Sequence, residues 1–260
     1  MAEPGAGATN GDTLWYVVGV IKPTPRSLDG VGTLLPDRPL ETVAGDGLEA
    51  VVSTVPAVLL DDQAVEDLGH LGQLARAHDR VLRALAERTA VVPARLGSLY
   101  PSIQGVAAML DSRGAQLSAA LDQLSGRSEW GVKVYSDPAG PASEPREVQT
   151  GTAYLRRRQA ERQRTAADQE AAATLVAELH RAVAAEADAA ITRPPQHPKL
   201  SGVRAPMLLN GAYLVDAARQ HAFTAVVRKL ADRHRQSGLR IQLTGPWPPY
   251  SFAGSGSDRV

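Results

Sequence analysis

The chain has 260 residues, with 28 basic and 28 acidic side chains and therefore no formal net charge. At 43% hydrophobic and 22% charged residues it has globular composition, which excludes a wholly disordered chain and offers no global charge for nucleic acid or an acidic membrane. It has no cysteine, which removes disulfides, thiolate metal sites and cysteine nucleophiles.

No apolar run approaches the ~20 residues that span a bilayer. Residues 1–12 are Gly/Ala-rich and lack the basic-then-apolar order of a signal peptide, so a flexible tail on a soluble cytoplasmic protein is expected. Leu14 to Ile21 (LWYVVGVI) is apolar on both faces and of strand length, which predicts a central strand. Residues 23–47 hold four prolines and several glycines and read as loop, with a short strand near Glu41–Ala44. Leu48 to Val55 is a second strand, closed by Pro56.

A helix is expected over Asp61–Arg88, with Leu71, Leu74, Val81, Leu82 and Leu85 on one stripe. Ala90 to Tyr100 reads as a strand broken by Pro93 and Gly97, which marks an edge or a bulge. Ile103 to Leu124 is a second helix, weakened in its middle by Gly114. Trp130 to Tyr135 alternates as a strand, and residues 137–150 form a Pro-rich loop. Residues 152–191 lack Gly and Pro and read as one helix of about 60 Å. Its large apolar residues come late, so its Arg-rich front is expected to project beyond a core. Met207–Val215, a helix over 217–236 capped by Asp216, and Leu239–Leu243 complete the pattern.

This order predicts an α+β protein of two domains. Residues 13–126 would form a small mixed sheet with two helices. Residues 127–252 would form a ferredoxin-like domain with a long helix, and 253–260 a second flexible tail. The ferredoxin-like order needs one further short strand, for which Leu200–Arg204 is the candidate.

Catalytic motifs are missing. There is no HExxH, no Gly-x-Ser-x-Gly elbow and no phosphate-binding glycine loop. His70 and His78 share a helix eight residues apart, but two histidines do not complete a zinc site, and they read as ordinary helix residues. Asp61-Asp62 is explained by a helix start. No catalytic residue, metal ligand or cofactor is therefore expected. Arg156, Arg157, Arg158, Arg162 and Arg164, offset by Glu161, give about +4 over nine residues. They suit RNA or simply a solvated helix face, and Tyr154 is the one aromatic nearby.

The segment Gly245-Pro246-Trp247-Pro248-Pro249-Tyr250-Ser251-Phe252 stands apart. Its prolines make it stiff and unable to extend a central sheet. Either it folds back as a clasp over its own core, or it presents aromatics to a partner groove.

This ending resembles the signature of the gas vesicle protein L/F family (GvpL/GvpF). Further stretches resemble family segments in order: Trp15–Val18, Ala77–Leu82, Val92–Gly97, Glu129–Tyr135, Gly151–Leu155 and Asn210–Val215. The similarity runs from about residue 14 to Phe252, and departs most in residues 23–47. The resemblance implies a non-enzymatic role in gas vesicle assembly. The implied partners are the small apolar shell protein (GvpA-type) and other accessory proteins, with no nucleic acid and no membrane. Arg95, Tyr154, Tyr213 and the motif residues Gly245, Pro246, Trp247, Pro248, Pro249, Tyr250 and Phe252 are the candidate contact positions, each with a purely structural alternative. A regulatory or RNA-binding module on a ferredoxin-like scaffold is the competing reading.

Overall fold

The computed structural model describes residues 13–24, 28, 30–57, 68–136, 151–196, 203 and 205–254. These form an α+β structure of two antiparallel sheets and four α-helices, in two compact units. One unit holds the described residues up to Arg127 together with those from Trp247 onward; the other is Ser128–Pro246.

In the first unit, β1 (Thr13–Ile21) pairs with β3 (Leu48–Pro56), and β2 (Glu41–Gly45) lies outside β3. Asp46 and Gly47 join β2 to β3 with φ of 48° and 69°. Asp-Gly at positive φ in a two-residue loop matches the twist of an antiparallel hairpin. After β3 the chain crosses by α1 (Leu68–Ala86) to β4 (Val91–Pro93) on the far side of β1. A short β5 (Leu99–Tyr100) also pairs with β1. The order is β2-β3-β1-β4. The sheet expected to be mixed is antiparallel throughout, because the crossover carries β4 past β3 to pair with β1.

Helix α1 buries Leu74, Ala77, Val81, Leu82 and Leu85 against Tyr16, Val18, Val51 and Val55. Alternate residues Val17, Ala50 and Val52 are also buried, and α2 (Ile103–Leu124) packs against these strands. Period-2 side chains thus serve two helix layers, which explains why β1 is apolar on both faces. Helix α2 starts where expected. Ser102 caps it by accepting a hydrogen bond from the Gly105 amide at 3.2 Å. Gly114 is no mere weakness, since the Asp46 side chain occupies the space a β-carbon would take.

The expected first helix begins at Asp61, but Asp61, Asp62 and Glu66 lie outside the described residues. The described helix starts at Leu68.

In the second unit, β6 (Arg127–Ser136, its first residue falling in the first unit) leads to α3 (Gly151–Ala184), β7 (Ala189–Thr192), β8 (Met207–Asp216), α4 (Gln220–His234) and β9 (Leu239–Trp247). The order β7-β8-β6-β9 is that of a ferredoxin-like β-α-β-β-α-β sheet. The extra strand is β7, not Leu200–Arg204, of which only Val203 is described and is not strand. The expected 152–191 helix therefore stops at Ala184. Ala189–Thr192 pairs with Gly211–Leu214 instead, and pairing overrides the helix preference of its alanines. The turn is fixed by Asp188, whose carboxylate accepts the Asp216 amide (2.9 Å) and pairs with Arg219 (2.7 Å).

Val176, Leu179 and Val183 of α3 and Phe223, Val227 and Leu230 of α4 cover one face of this sheet, against Trp130, Val132, Val134, Tyr213 and Val215. Arg158, Arg162 and Glu170, earlier on α3, are exposed, in keeping with apolar residues that cluster late. Asp216 caps the turn before α4 by accepting the Ala218 amide, as expected. Strand β9 runs four residues beyond Leu243 and includes Pro246, which an edge strand tolerates because its outer amide has no strand to bond.

At Gly45 a β-carbon would stand 2.9 Å from Leu110 Cβ and 3.3 Å from the Ala107 carbonyl, a helix surface that cannot easily yield. Gly45→Ala is expected to cost about 1–3 kcal/mol through overpacking, read as a lower urea midpoint at unchanged slope.

Candidate functional site

The aromatic ending packs within the first unit. Helix α1 sets Asp79 and Arg83 one turn apart, so that Arg83 Nε donates to Asp79 Oδ2 at 2.7 Å. The other carboxylate oxygen of Asp79 accepts the Tyr250 hydroxyl at 2.9 Å. The Arg83 guanidinium lies 3.9 Å from the centre of the Trp247 ring, within reach of a cation–π attraction. Pro248, Pro249 and Phe252 are buried, and two tight turns, Tyr250 N to Pro248 O and Phe252 N to Pro249 O, hold the segment's shape. Preset proline torsions lower the entropy lost in ordering such a segment.

Beside this contact runs a buried polar chain. His78, 4% exposed, has Nδ1 2.9 Å from the Tyr16 hydroxyl, and its ring also bonds the Ala94 backbone. The Tyr16 oxygen accepts the Gly97 amide at 3.2 Å. Burial is the main cause that holds the His78 imidazole below its ordinary pKa, against opposing effects of the Ala94 bond and the Asp79 charge. Burial likewise raises Tyr16 to about 12, although the Gly97 amide bond works the other way. These groups join β1, α1 and the loop after β4.

In the second unit the Tyr213 hydroxyl lies 2.7 Å from His180 Nδ1, and its ring packs 5.8 Å from Phe223. Burial raises the Tyr213 pKa above the ordinary phenol value. The other face of this sheet carries Tyr135, 1% exposed, with the Arg240 guanidinium 4.9 Å from the centre of its ring.

The candidate residues separate accordingly. Trp247, Pro248, Pro249, Tyr250 and Phe252 gather on the first unit, although the sequence grouping puts them with residues 127–246. Gly245 and Pro246 end the second unit; Gly245 has φ of 126° and approaches the Trp130 ring so closely that a β-carbon would sit 3.1 Å from it. Arg95 is exposed on the loop after β4, next to Leu96, which is 42% exposed. Tyr213 is buried in the core and presents no surface. Tyr154 lies in the first turns of α3, and its side chain falls outside the described residues.

Sequence reasoning missed Tyr16, Asp79 and Arg83, and weighed His78 only as half of a metal pair. The signal was present: His78 stands four residues from both Leu74 and Leu82 on the apolar stripe, and Asp79 stands four from Arg83. The side chain of His70 lies outside the described residues. Among the described residues no group of three His, Cys, Asp or Glu side chains could hold a metal ion, and no helix is long and apolar enough to cross a membrane.

The histidine and tyrosine groups described above thus bond within their own units, and the class of protein is an α+β scaffold of two sheets, one ferredoxin-like. A family model described as "Gas vesicle synthesis protein GvpL/GvpF" matches residues 14–254, and the chain belongs to this family. It is 38% identical over 264 residues to gas vesicle protein L of Streptomyces sp. (strain CB03234), covering 96% of each chain. It is 29% identical to gas vesicle protein F of the same strain, covering 91% of this chain and 98% of that one. The crystal structure of GvpF from Anabaena sp. PCC7120 has the same fold at 18% identity, with a TM-score of 0.66 over 94% of this chain and 97% of that one.

Two expectations follow. Tyr250→Phe removes one partly exposed hydrogen bond and should cost roughly 0.5–1 kcal/mol, whereas Trp247→Ala removes ring packing and the Arg83 contact and should cost about 1.5–3 kcal/mol in equilibrium denaturation. The folded protein keeps His78 neutral where the unfolded chain protonates it, so the unfolded state binds the extra proton. The stability this provides is complete above the ordinary histidine pKa of about 6.5 and is lost as pH falls from there towards the depressed folded value. A His78→Gln variant should show a shallower loss of stability below that pH than the parent.

Proposed function

We propose that this chain works without catalysis in gas vesicle formation, holding the small apolar shell protein (GvpA-type) before it enters the wall, in the cytoplasm. The observation that carries this reading is the family match across residues 14–254. A subunit destined for a gas-tight wall exposes apolar surface that aggregates in water unless covered. A helper needs a rigid surface with exposed apolar groups rather than a reactive cleft. In the first unit Leu96 is 42% and Tyr250 37% exposed; the Arg95–Ser98 turn holds the first, and the Asp79 carboxylate of α1 the second. We assign shell-protein binding to this unit, with Arg95, Leu96 and Tyr250 as contact residues. The second unit binds other accessory proteins or another copy.

The RNA-binding reading finds less support. Sheet-based RNA recognition stacks bases on exposed aromatics. Trp130, Tyr213 and Phe223 lie in the core, and Tyr135 is buried beneath Arg240.

Co-expression of the tagged chain with the shell protein, followed by pull-down at low and high salt, tests the proposal. Capture that survives high salt, and falls at least tenfold in Leu96→Asp while circular dichroism stays unchanged, is the expected result. No capture with both proteins folded overturns it.

A further inference from the structure

The zero net charge of the chain hides two opposite ones. Met1–Arg127 with Trp247–Val260, the first unit, hold 16 acidic and 11 basic side chains, a formal charge of −5. Ser128–Pro246, the second, hold 12 acidic and 17 basic, a formal charge of +5.

In the second unit the excess has an address. Helix α4 turns Phe223, Val227 and Leu230 to the core and leaves Arg228, Lys229 and Arg233 exposed. The one carboxylate of this helix, Asp232, is taken by Arg235 at 2.8 Å. Among the described residues Arg228, Lys229 and Arg233 have no ion pair. Arg158 and Arg162 add exposed cations on α3.

The first unit carries the complement on its outer strand β2 and the helix beside it. Glu41 opens β2, Asp46 follows its end, and Asp111 lies on α2; all three are exposed. The Asp46 side chain rests against Gly114 of α2, and Asp111 Oδ1 is 3.1 Å from the place of a β-carbon on Gly45. Glu41 is four residues from Gly45 and so shares its face of β2. Among the described residues these three carboxylates have no ion pair either. Strand β2 has no cation, and the one on α2, Arg113, donates to Gln116 at 3.4 Å.

We infer that the exposed face of α4 docks on the β2–α2 face of a second copy of this chain, Arg228, Lys229 and Arg233 of one meeting Glu41, Asp46 and Asp111 of the other. Charge complementarity selects this occupant, because the chain itself supplies both signs, each without a partner of its own. The two faces differ, so the contact is heterologous: it leaves one face of each sign free at the ends, and association runs past the dimer unless a ring closes. Exposed charge pairs are individually weak and screened by salt, so the assembly is reversible. The contact rests on that part of the proposed function which gives the second unit a partner, and is independent of shell-protein capture.

Sedimentation velocity of the full chain over a range of concentrations, at about 0.05 M and about 0.5 M salt and with no shell protein present, tests this. The expected result is concentration-dependent growth beyond the dimer at low salt, weakened at least tenfold at high salt. Arg228→Glu/Lys229→Glu/Arg233→Glu and, separately, Glu41→Lys/Asp111→Lys should each stay monomeric, with circular dichroism unchanged. Mixed together, the two variants should associate again, since each restores the sign its partner lacks. Should the acidic α4 variant be unfolded, Arg228→Gln/Lys229→Gln/Arg233→Gln, which keeps helix-forming side chains, should lose association in the same way. A single monomer boundary at every concentration in low salt contradicts the inference. So does association that ignores salt or the α4 substitutions, a mixture of folded variants that stays monomeric, or an α4 face that captures RNA while the chain alone does not associate. Salt-resistant capture of the shell protein by a chain that stays monomeric would remove this contact and leave the shell-binding reading intact.

Discussion

Strand β1 has no free side. Both its edges are paired, to β3 on one side and to β4 and β5 on the other, and helices cover both faces. A backbone so enclosed must satisfy every amide and carbonyl within the protein, because water cannot reach it. That constraint accounts for the uninterrupted apolar run and for the polar atoms that do enter the core. The Tyr16 hydroxyl is carried inward on this strand, and its cost is met by a histidine from α1 and an amide from the loop after β4. The loop, in turn, is where the edge of the sheet changes from β4 to β5.

The two sheets share a plan. In each, the third strand of the unit sits between the second and the first, and the fourth lies beyond the first. Helix α1 in one and α4 in the other lead into that last strand. They differ in the first crossover, which contains α3 in the second unit, whereas the described residues between β1 and β2 in the first form no α-helix. The first unit then adds α2 over its other face. Such likeness was invisible as a sequence repeat because strand order depends on the positions of apolar runs and crossovers, which many sequences satisfy.

Much of the architecture was readable because its causes are local. Helix α2 was placed to the residue by the spacing of Ile103, Val106, Leu110, Leu117, Leu121 and Leu124. The last helix was signalled by Asp216. Where a segment's fate depends on a distant partner, local reading failed. Ala189–Thr192 has helix-forming alanines, and only the edge of β8 makes it a strand. The stiffness of the closing segment was legible from its prolines, but its receptor was not. Tyr250 and Asp79 are 171 residues apart, and nothing in either neighbourhood names the other. The family resemblance supplied the role that residue chemistry alone did not.

The chain leaves the first unit after Arg127 and returns to it at Trp247. Synthesis runs in one direction, and domains generally fold as they emerge, the N-terminal ones first. Here the early unit is finished by late residues. Asp79 and Arg83 are made long before Trp247 and Tyr250, and the entire second unit is translated in the interval. Through that interval the nascent first unit has its sheet and helices but not its final cover. Closure waits for the end of translation, so a prematurely terminated chain, even one that contains every strand of the first sheet, leaves the ribosome with that surface bare.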